Sequence, residues 1–286
     1  MQPNGIITLT TDFGLNDSYV GVMKGVIMSI VPQARIVDIT HDIRPQNIAH
    51  AAYMIQTFHR FFPAGTVHLV IVDPGVGSAR RAMALQTPEA VFVGPDNGIF
   101  TPVWQDAAER WGPGQCAVVE LNDPRFWLAH VSSTFHGRDV FAPAAAHLAR
   151  GVALAELGAP LGEIYIAEIE QPTIGRKGEL IGRIIHVDHF GNCITNISLS
   201  ALAQHGLELT LTVEIIDQRI PGLYQTYADA PVGALVALVG SNNHLELAVR
   251  NGSAAQTLGV GVGDTVKVHQ RVHSDAGQAA SATGSA

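Results

Sequence analysis

The chain has 286 residues, 47% of them apolar, with 25 acidic against 17 basic side chains and a formal net charge of -8. That is enough to bury a substantial core in one large domain or two modest ones, and an acidic balance without any basic run argues against a nucleic-acid surface and for a small-molecule partner. With no stretch near about eighteen uninterrupted apolar residues and no basic-then-apolar leader, a cytoplasmic protein without membrane association is expected. The cysteines, Cys116 and Cys193, fit no metal-ligand or redox spacing, and both read as buried small hydrophobes without a disulfide.

Residues 6–168 alternate β-branched runs with helical stretches, the pattern of a sheet flanked by helices. Residues 6–13 read as the first strand. Residues 17–31 space Val20, Met23, Val26, Ile27 and Ile30 as on one helix face, and Pro32 stops the element. A second helix is expected over 47–62, ended by Pro63, and a third over 139–150, with Asp139 as N-cap, Pro143 in the first turn and Gly151 at the C-terminal stop. The polar stretch 168–179 has linker composition. Beyond it, short strand-like segments at close spacing predict a small barrel or sandwich. The expected layout is an α/β N-terminal domain over 1–168 with a central sheet flanked by helices, a linker over 169–178, and a small all-β, barrel-like domain over 179–272. Residues 273–286 are small and polar and read as a disordered tail.

Five of the strand-like runs carry an aspartate at or just after their ends: Asp12, Asp42, Asp73, Asp96 and Asp188. Strand ends are where α/β proteins bind ligands, although a single Asp-Gly or Asp-Pro commonly serves only a turn or a cap. The run DPGVGSARR (73–81) sets a carboxylate, two glycines and Arg80 within reach of one pocket. It lacks the Lys-Ser/Thr ending of a P-loop, and Arg81 is expected to be a solvated surface charge. The run STFHGRDVFAP (133–143) brings His136, Arg138 and Asp139 to a helix entrance, where a histidine is a better functional candidate than elsewhere. DHFGNCITN (188–196) offers Asp188, Asn192 and Asn196 around a turn, where the amides can read a purine edge or simply form the turn. GSNNHLELAV (240–249) adds a polar loop with Ser241, feeding a strand in which Glu246 alternates with Leu245 and Leu247.

The motifs TTDFG, ITHDI, VDPGVGS followed by Arg80, GPDNG, TFHGRD and VDHFGNCITN, in this order over residues 5–268, resemble one family. It is the S-adenosylmethionine hydroxide adenosyltransferases, or S-adenosyl-L-methionine hydrolases (adenosine-forming), relatives of the fluorinases and chlorinases. The resemblance implies a homotrimer with S-adenosylmethionine, as substrate and without a further cofactor or metal, held between the N-domain of one subunit and the C-domain of the next. It implies attack of water or hydroxide at C5′, with preference for the (R)-sulfonium epimer, giving adenosine and L-methionine. Carried over by motif, Asp73, Arg80 and His136 are the hydrolytic set, with Asp73 also touching substrate. Asp12 takes the ribose hydroxyls, Asp188 the amino-acid portion and Asn192 the adenine. Ser241, Glu246 and the backbone of Val249 are further contacts. Halogenases of the family lack the Asp, Arg, His set and carry an additional loop, whereas here the set is present and the segment between GPDNGIFTPV and CAVVELND is short.

Three other readings stay open at this point. The chain could be a halogenase of the same family, or a non-catalytic nucleoside-binding module in which Arg80 and His136 only recognise. It could also be a metal-dependent hydrolase using Asp12, His41, Asp42 and His136, since Asp/His-rich sites suit divalent metals, although no compact His spacing supports this.

Overall fold

Every residue of Ile7–Thr11 is buried, so this run of Ile, Leu and Thr belongs to a central strand covered on both faces rather than to one that alternates between core and water. In the computed structural model, which describes residues 2–207 and 211–270, the chain divides after Ile169 into two compact units. The first is built on six strands: β1 (Ile6–Thr11), β2 (Arg35–Thr40), β3 (Thr66–Ile71), β4 (Ala82–Gln86), β5 (Ala90–Pro95) and β6 (Ala117–Glu120). Their spatial order is β2-β1-β3-β5-β4-β6. The strands β2, β1, β3 and β5 are parallel, while β4 runs antiparallel to both of its neighbours.

Four helices cover the sheet: α1 (Tyr19–Ile30), α2 (Ile48–Phe58), α3 (Thr101–Trp111) and α4 (Ala142–Ala149). On one face Val20, Met23 and Ile27 of α1 and Ala145 and Leu148 of α4 pack on Ile7, Leu9, Leu69 and Ile71. On the other, Ala51 and Ile55 of α2 and Val103 of α3 pack on Val70, Leu85 and Phe92. The sequence pattern did not announce α3, because it buries only Thr101, Pro102, Val103 and Ala107, a stripe too thin to show as periodicity. The second predicted helix is shorter than expected: α2 ends at Phe58, and His59–Phe61 tighten into a 3₁₀ turn before Pro63. The third opens as a π-helical turn, Gly137–Phe141, ahead of α4. Asp139 lies inside that turn, fully buried, and is therefore not the N-cap expected of it.

The second unit is antiparallel. Its strands are β7 (Thr173–Ile174), β8 (Leu180–Val187), β9 (Cys193–Ser198), β10 (Leu211–Ile215), β11 (Gln218–Pro221), β12 (Leu235–Val239), β13 (His244–Val249) and β14 (Thr265–Gln270). They follow the order β11-β10-β14-β8-β9-β13-β12, with β7 beside β8 inside the stretch read as linker. A bridge between Tyr224 and Leu238 brings the chain after β11 alongside β12, so the sheet curls nearly into a barrel. Leu180, Ile184, Cys193, Val213, Leu245, Leu247 and Val266 fill it, and two short helices, α5 (Leu199–Gln204) and α6 (Ala254–Leu258), flank it. The tail expected at 273–286 lies outside the described residues. Cys193 is buried as predicted, and burial pushes its thiol up to about 11, but Cys116 is only half-buried; both are free thiols. Among the described residues no helix is long and apolar enough to cross a membrane.

Candidate active site

Asp42, Asp12, Asp73 and Asp96 follow β2, β1, β3 and β5. Because these four strands are parallel, their carboxylates all leave the same edge of the sheet. The order of strands reverses between β1 and β3, and a crevice opens at such a switch point. Asp12 and Asp73 stand on either side of it. Asp42 is exposed. Asp96 turns away into a structural role: Oδ1 accepts from Tyr165 N (2.7 Å) and Oδ2 from Arg81 Nε (2.8 Å). Arg81 is thus tied to a buried carboxylate and is not the free surface charge its sequence position suggested.

The run after β3 folds into a turn that bonds to itself. Val76 N donates to Asp73 O (3.1 Å), Ser78 Oγ to Gly75 O (2.6 Å), and Asn97 Nδ2, from the end of β5, to Val72 O (2.9 Å). Arg80 folds back closely over Gly75, where a Cβ would sit 3.2 Å from Arg80 Cγ. Arg80 Nε donates to Asp73 Oδ1 (2.8 Å) and Nη2 to Asp73 Oδ2, a bidentate pair in which the carboxylate is 6% and the guanidinium side chain 11% exposed. The remaining hydrogen of Nη2 reaches His136 Nδ1 at 3.0 Å. The guanidinium carbon lies 5.0 Å from the centroid of the Phe141 ring, a cation–π contact.

A guanidinium can only donate, so Nδ1 of His136 is the acceptor and the neutral ring carries its proton on Nε2. Burial, and then the charge of Arg80, hold the His136 pKa below its ordinary value against the opposing pull of Asp73 and Asp139. Arg80 Nη1 and His136 Nε2 have no protein partner among the described residues. Asp12 is half-buried; its Oδ2 accepts from Gln46 N (2.7 Å), and Oδ1 is open. Beside this set the rings of Phe13, Tyr19 and Phe135 meet edge to face or tilted, with centroids 5.2–5.8 Å apart.

In the second unit, Asp188 at the end of β8 closes a tight turn. Its Oδ1 accepts from Phe190 N (2.9 Å) and Asn192 N (2.8 Å), and its Oδ2 from Asn192 Nδ2 (3.0 Å). Asn192 is buried, with Oδ1 left open. Glu246, on β13, alternates with Leu245 and Leu247, which point into the barrel core; it is buried on the opposite face of the strand, where Tyr227 Oη donates to its Oε1 at 2.6 Å. Burial, with Asp188 nearby, raises the Glu246 pKa, and burial together with this bond raises that of Tyr227. The carboxylate also fills the space beside Gly240, where a Cβ would touch Oε2. Ser241 is exposed in the loop before β13, and Val249 ends that strand with its carbonyl accepting from Gly252 N (3.0 Å).

The N-terminal domain of SAM hydroxide adenosyltransferases matches residues 7–158, and their C-terminal domain matches 182–267. The chain belongs to the SAM hydroxide adenosyltransferase family. Among its relatives, the (R)-S-adenosyl-L-methionine hydrolase of Salinispora tropica is 39% identical over 94% of this chain and 99% of that one. The protein of the same name from Thermus thermophilus is 38% identical over 90% and 97%. A fluorinase of Nocardia brasiliensis is more distant, at 29% over 92% and 96%. A solved structure of a conserved protein of Thermotoga maritima matches with a TM-score of 0.83 at 35% identity, covering 92% of this chain and 100% of that one.

Within this family member the residues weighed as metal ligands do not converge. His41 Nδ1 pairs with Thr11 Oγ1 (2.9 Å) and its Nε2 lies 3.2 Å from Asp38, while His136 joins Arg80. Among the described residues no three His, Cys, Asp or Glu side chains form a metal-holding group. Two participants escaped the sequence reading. Tyr227 gives no local signal of its bond to Glu246, and Asn97, quoted in GPDNG, is not recognisable there as the brace for the end of β3.

Proposed function

We propose that this protein hydrolyses the (R)-sulfonium epimer of S-adenosyl-L-methionine to adenosine and L-methionine, with no further cofactor or metal. The observation that carries this reading is the Asp73–Arg80–His136 chain of hydrogen bonds at the strand edge. It is supported by relatives of 38–41% identity that are named for this activity, against 29–30% for fluorinases.

The sulfonium already makes methionine a good leaving group, so the barrier lies with the nucleophile. A water that first loses its proton to solvent attacks as hydroxide: the O–C5′ bond forms while the C5′–S pair withdraws to sulfur, leaving a neutral thioether and a neutral alcohol. Arg80 Nη1 and the Nε2–H of His136 are donors suited to favour hydroxide over water, and ionised Asp73 holds the guanidinium in position. With Nδ1 committed to Arg80, His136 serves as a neutral donor rather than as the proton acceptor. Each such donor is typically worth about a hundred- to a thousandfold. Asp12 takes the ribose hydroxyls, Asp188 the methionine portion and Asn192 the adenine, with Ser241, Glu246 and Val249 as further contacts. The active form is a homotrimer with each site shared between neighbouring subunits. Co-assembly of separately inactive Arg80→Ala and Asn192→Ala subunits should then restore part of the activity, and no recovery in verified mixed trimers would refute sharing.

The decisive experiment incubates purified protein with each sulfonium epimer in halide-free buffer, with and without chelator, and again with chloride. Adenosine and methionine are expected from the (R) epimer in every case. Dominant 5′-halogenated adenosine, or loss of turnover in chelator, would overturn the reading.

A further inference from the structure

The carboxylate of Asp139 is fully buried, and two segments beside the site meet at this residue, the 128–134 loop and the π-turn. Its Oδ1 accepts from Arg138 Nε (2.5 Å), and its Oδ2 accepts from Arg138 Nη2 (3.0 Å) and from Ser132 N (2.7 Å), while its backbone carbonyl accepts from Leu128 N (2.9 Å). It thereby fastens the 128–134 loop to the π-turn that follows His136. That loop in turn touches the Asp73–Arg80 turn: Gly77 has φ +76°, and a Cβ on it would run into Ser133 O. The π-turn itself is a wider winding that recurs at functional sites, where it re-aims side chains.

We propose that Asp139 is a positioning residue for the reaction: through Ser132 and the Gly77–Ser133 contact it sets the separation of Arg80 from His136, and its charge tunes the imidazole. The inference rests on the hydrolytic reading of the Asp73, Arg80, His136 set. The charged groups around His136 are Arg80 and Asp73 from the turn after β3, and Arg138 and Asp139 from the π-turn. Of these, Asp73 and Asp139 favour the imidazolium and Arg80 opposes it.

The test is Asp139→Asn, which keeps size and shape and removes the charge. Turnover should fall about 10- to 100-fold, the range expected of a misplaced catalytic group, while KM changes much less. The acid limb of the kcat profile should move to lower pH. The His136 titration, followed by NMR of ring-labelled histidine, should move in the same direction whether or not the protein turns over, which separates failure of this inference from failure of the hydrolase reading. An unchanged kcat, or a reduced kcat with the His136 titration unmoved or raised, would overturn the proposal. If Asp139→Asn no longer binds adenosine or folds, Gly77→Ala tests the geometric half alone. There a lowered kcat with adenosine binding retained supports it, and wild-type kcat refutes it.

Discussion

Two histidines of the first unit show how neighbours decide what an imidazole can do. His68 sits on β3 in the middle of the sheet, fully buried. Its Nδ1 pairs with Thr8 Oγ1 (2.8 Å), and its ring stacks on Phe92 with centroids 5.0 Å apart. The edges of Phe58 and Phe62 close around it, each at 5.6 Å, and its Nε2 meets no partner among the described residues. Burial, with the nearby His59, pushes its pKa down to about 3, so the ring is neutral filler across the physiological range. His136 is also held neutral, but it is half-buried at the strand edge, and the group that commits its Nδ1 is a cation. One ring is neutral because nothing charged or wet can reach it, the other in part because Arg80 occupies the site where a proton would go. In the proposed mechanism only the second supplies an N–H to a ligand.

If that contrast is right, substitutions on the two sides should fail in opposite ways. The largest effect is expected from Arg80→Ala and His136→Ala, which should lower turnover at least about a hundredfold while adenosine still binds. The unfolding midpoint should stay near wild type for His136→Ala and fall for Arg80→Ala, which leaves the buried Asp73 carboxylate unpaired. Steady-state kinetics with calorimetry decides it, and wild-type turnover in His136→Ala would remove that residue from the chemistry. His68→Ala should do the reverse, losing about 2–5 kcal/mol of stability to the cavity while kcat stays unchanged in the folded fraction. The same residue should shape acid stability. Its folded pKa, like that of His59 at about 4, lies below the unfolded value, so stability is complete above about pH 6.5 and is lost as pH falls toward the folded values. The slope should approach about 1.4 kcal/mol per pH unit for each ring, and His68→Phe should reduce it in urea titrations across pH 4–6.5. The smallest effect is expected from Asp12→Ala. It should weaken adenosine about tenfold, as for a lost hydrogen bond to a charged group, and change kcat less than Kd.

Much of the candidate site's geometry was legible because its contacts are local. Asp73 and Arg80 are joined by one turn, and Asp12, Asp73, Asp96 and Asp188 each follow an apolar run that could hardly be anything but a strand. What remained hidden depends on long-range register. Arg81 meets Asp96 because β4 and β5 pair antiparallel, Ala82 opposite Pro95, and no adjacent-charge rule contains that pairing. The fate of Asp139 follows from a π-turn that a 3.6-residue pattern does not encode, and Tyr227 finds Glu246 only once the strands have curled. The fold class was readable for a simpler reason. Strands buried on both faces and strands buried on one leave different alternations, and the two halves of this chain differ in that respect.

The ring of Phe141 beneath the Arg80 guanidinium, with Phe13, Tyr19 and Phe135 nearby, has a consequence for the proposed displacement that hydrogen bonds do not capture. A cation and an anion go in and two neutral molecules come out, so charge is spent along the reaction coordinate rather than created. Water solvates the separated ions far better than the partly neutralised transition state, and so retards such reactions. In the proposed displacement, aromatic surroundings of low polarity would withhold that solvation and strengthen the attraction between hydroxide and sulfonium. The rings then act as a solvent chosen for a charge-cancelling reaction, in addition to being a scaffold for the residues that bind the ions.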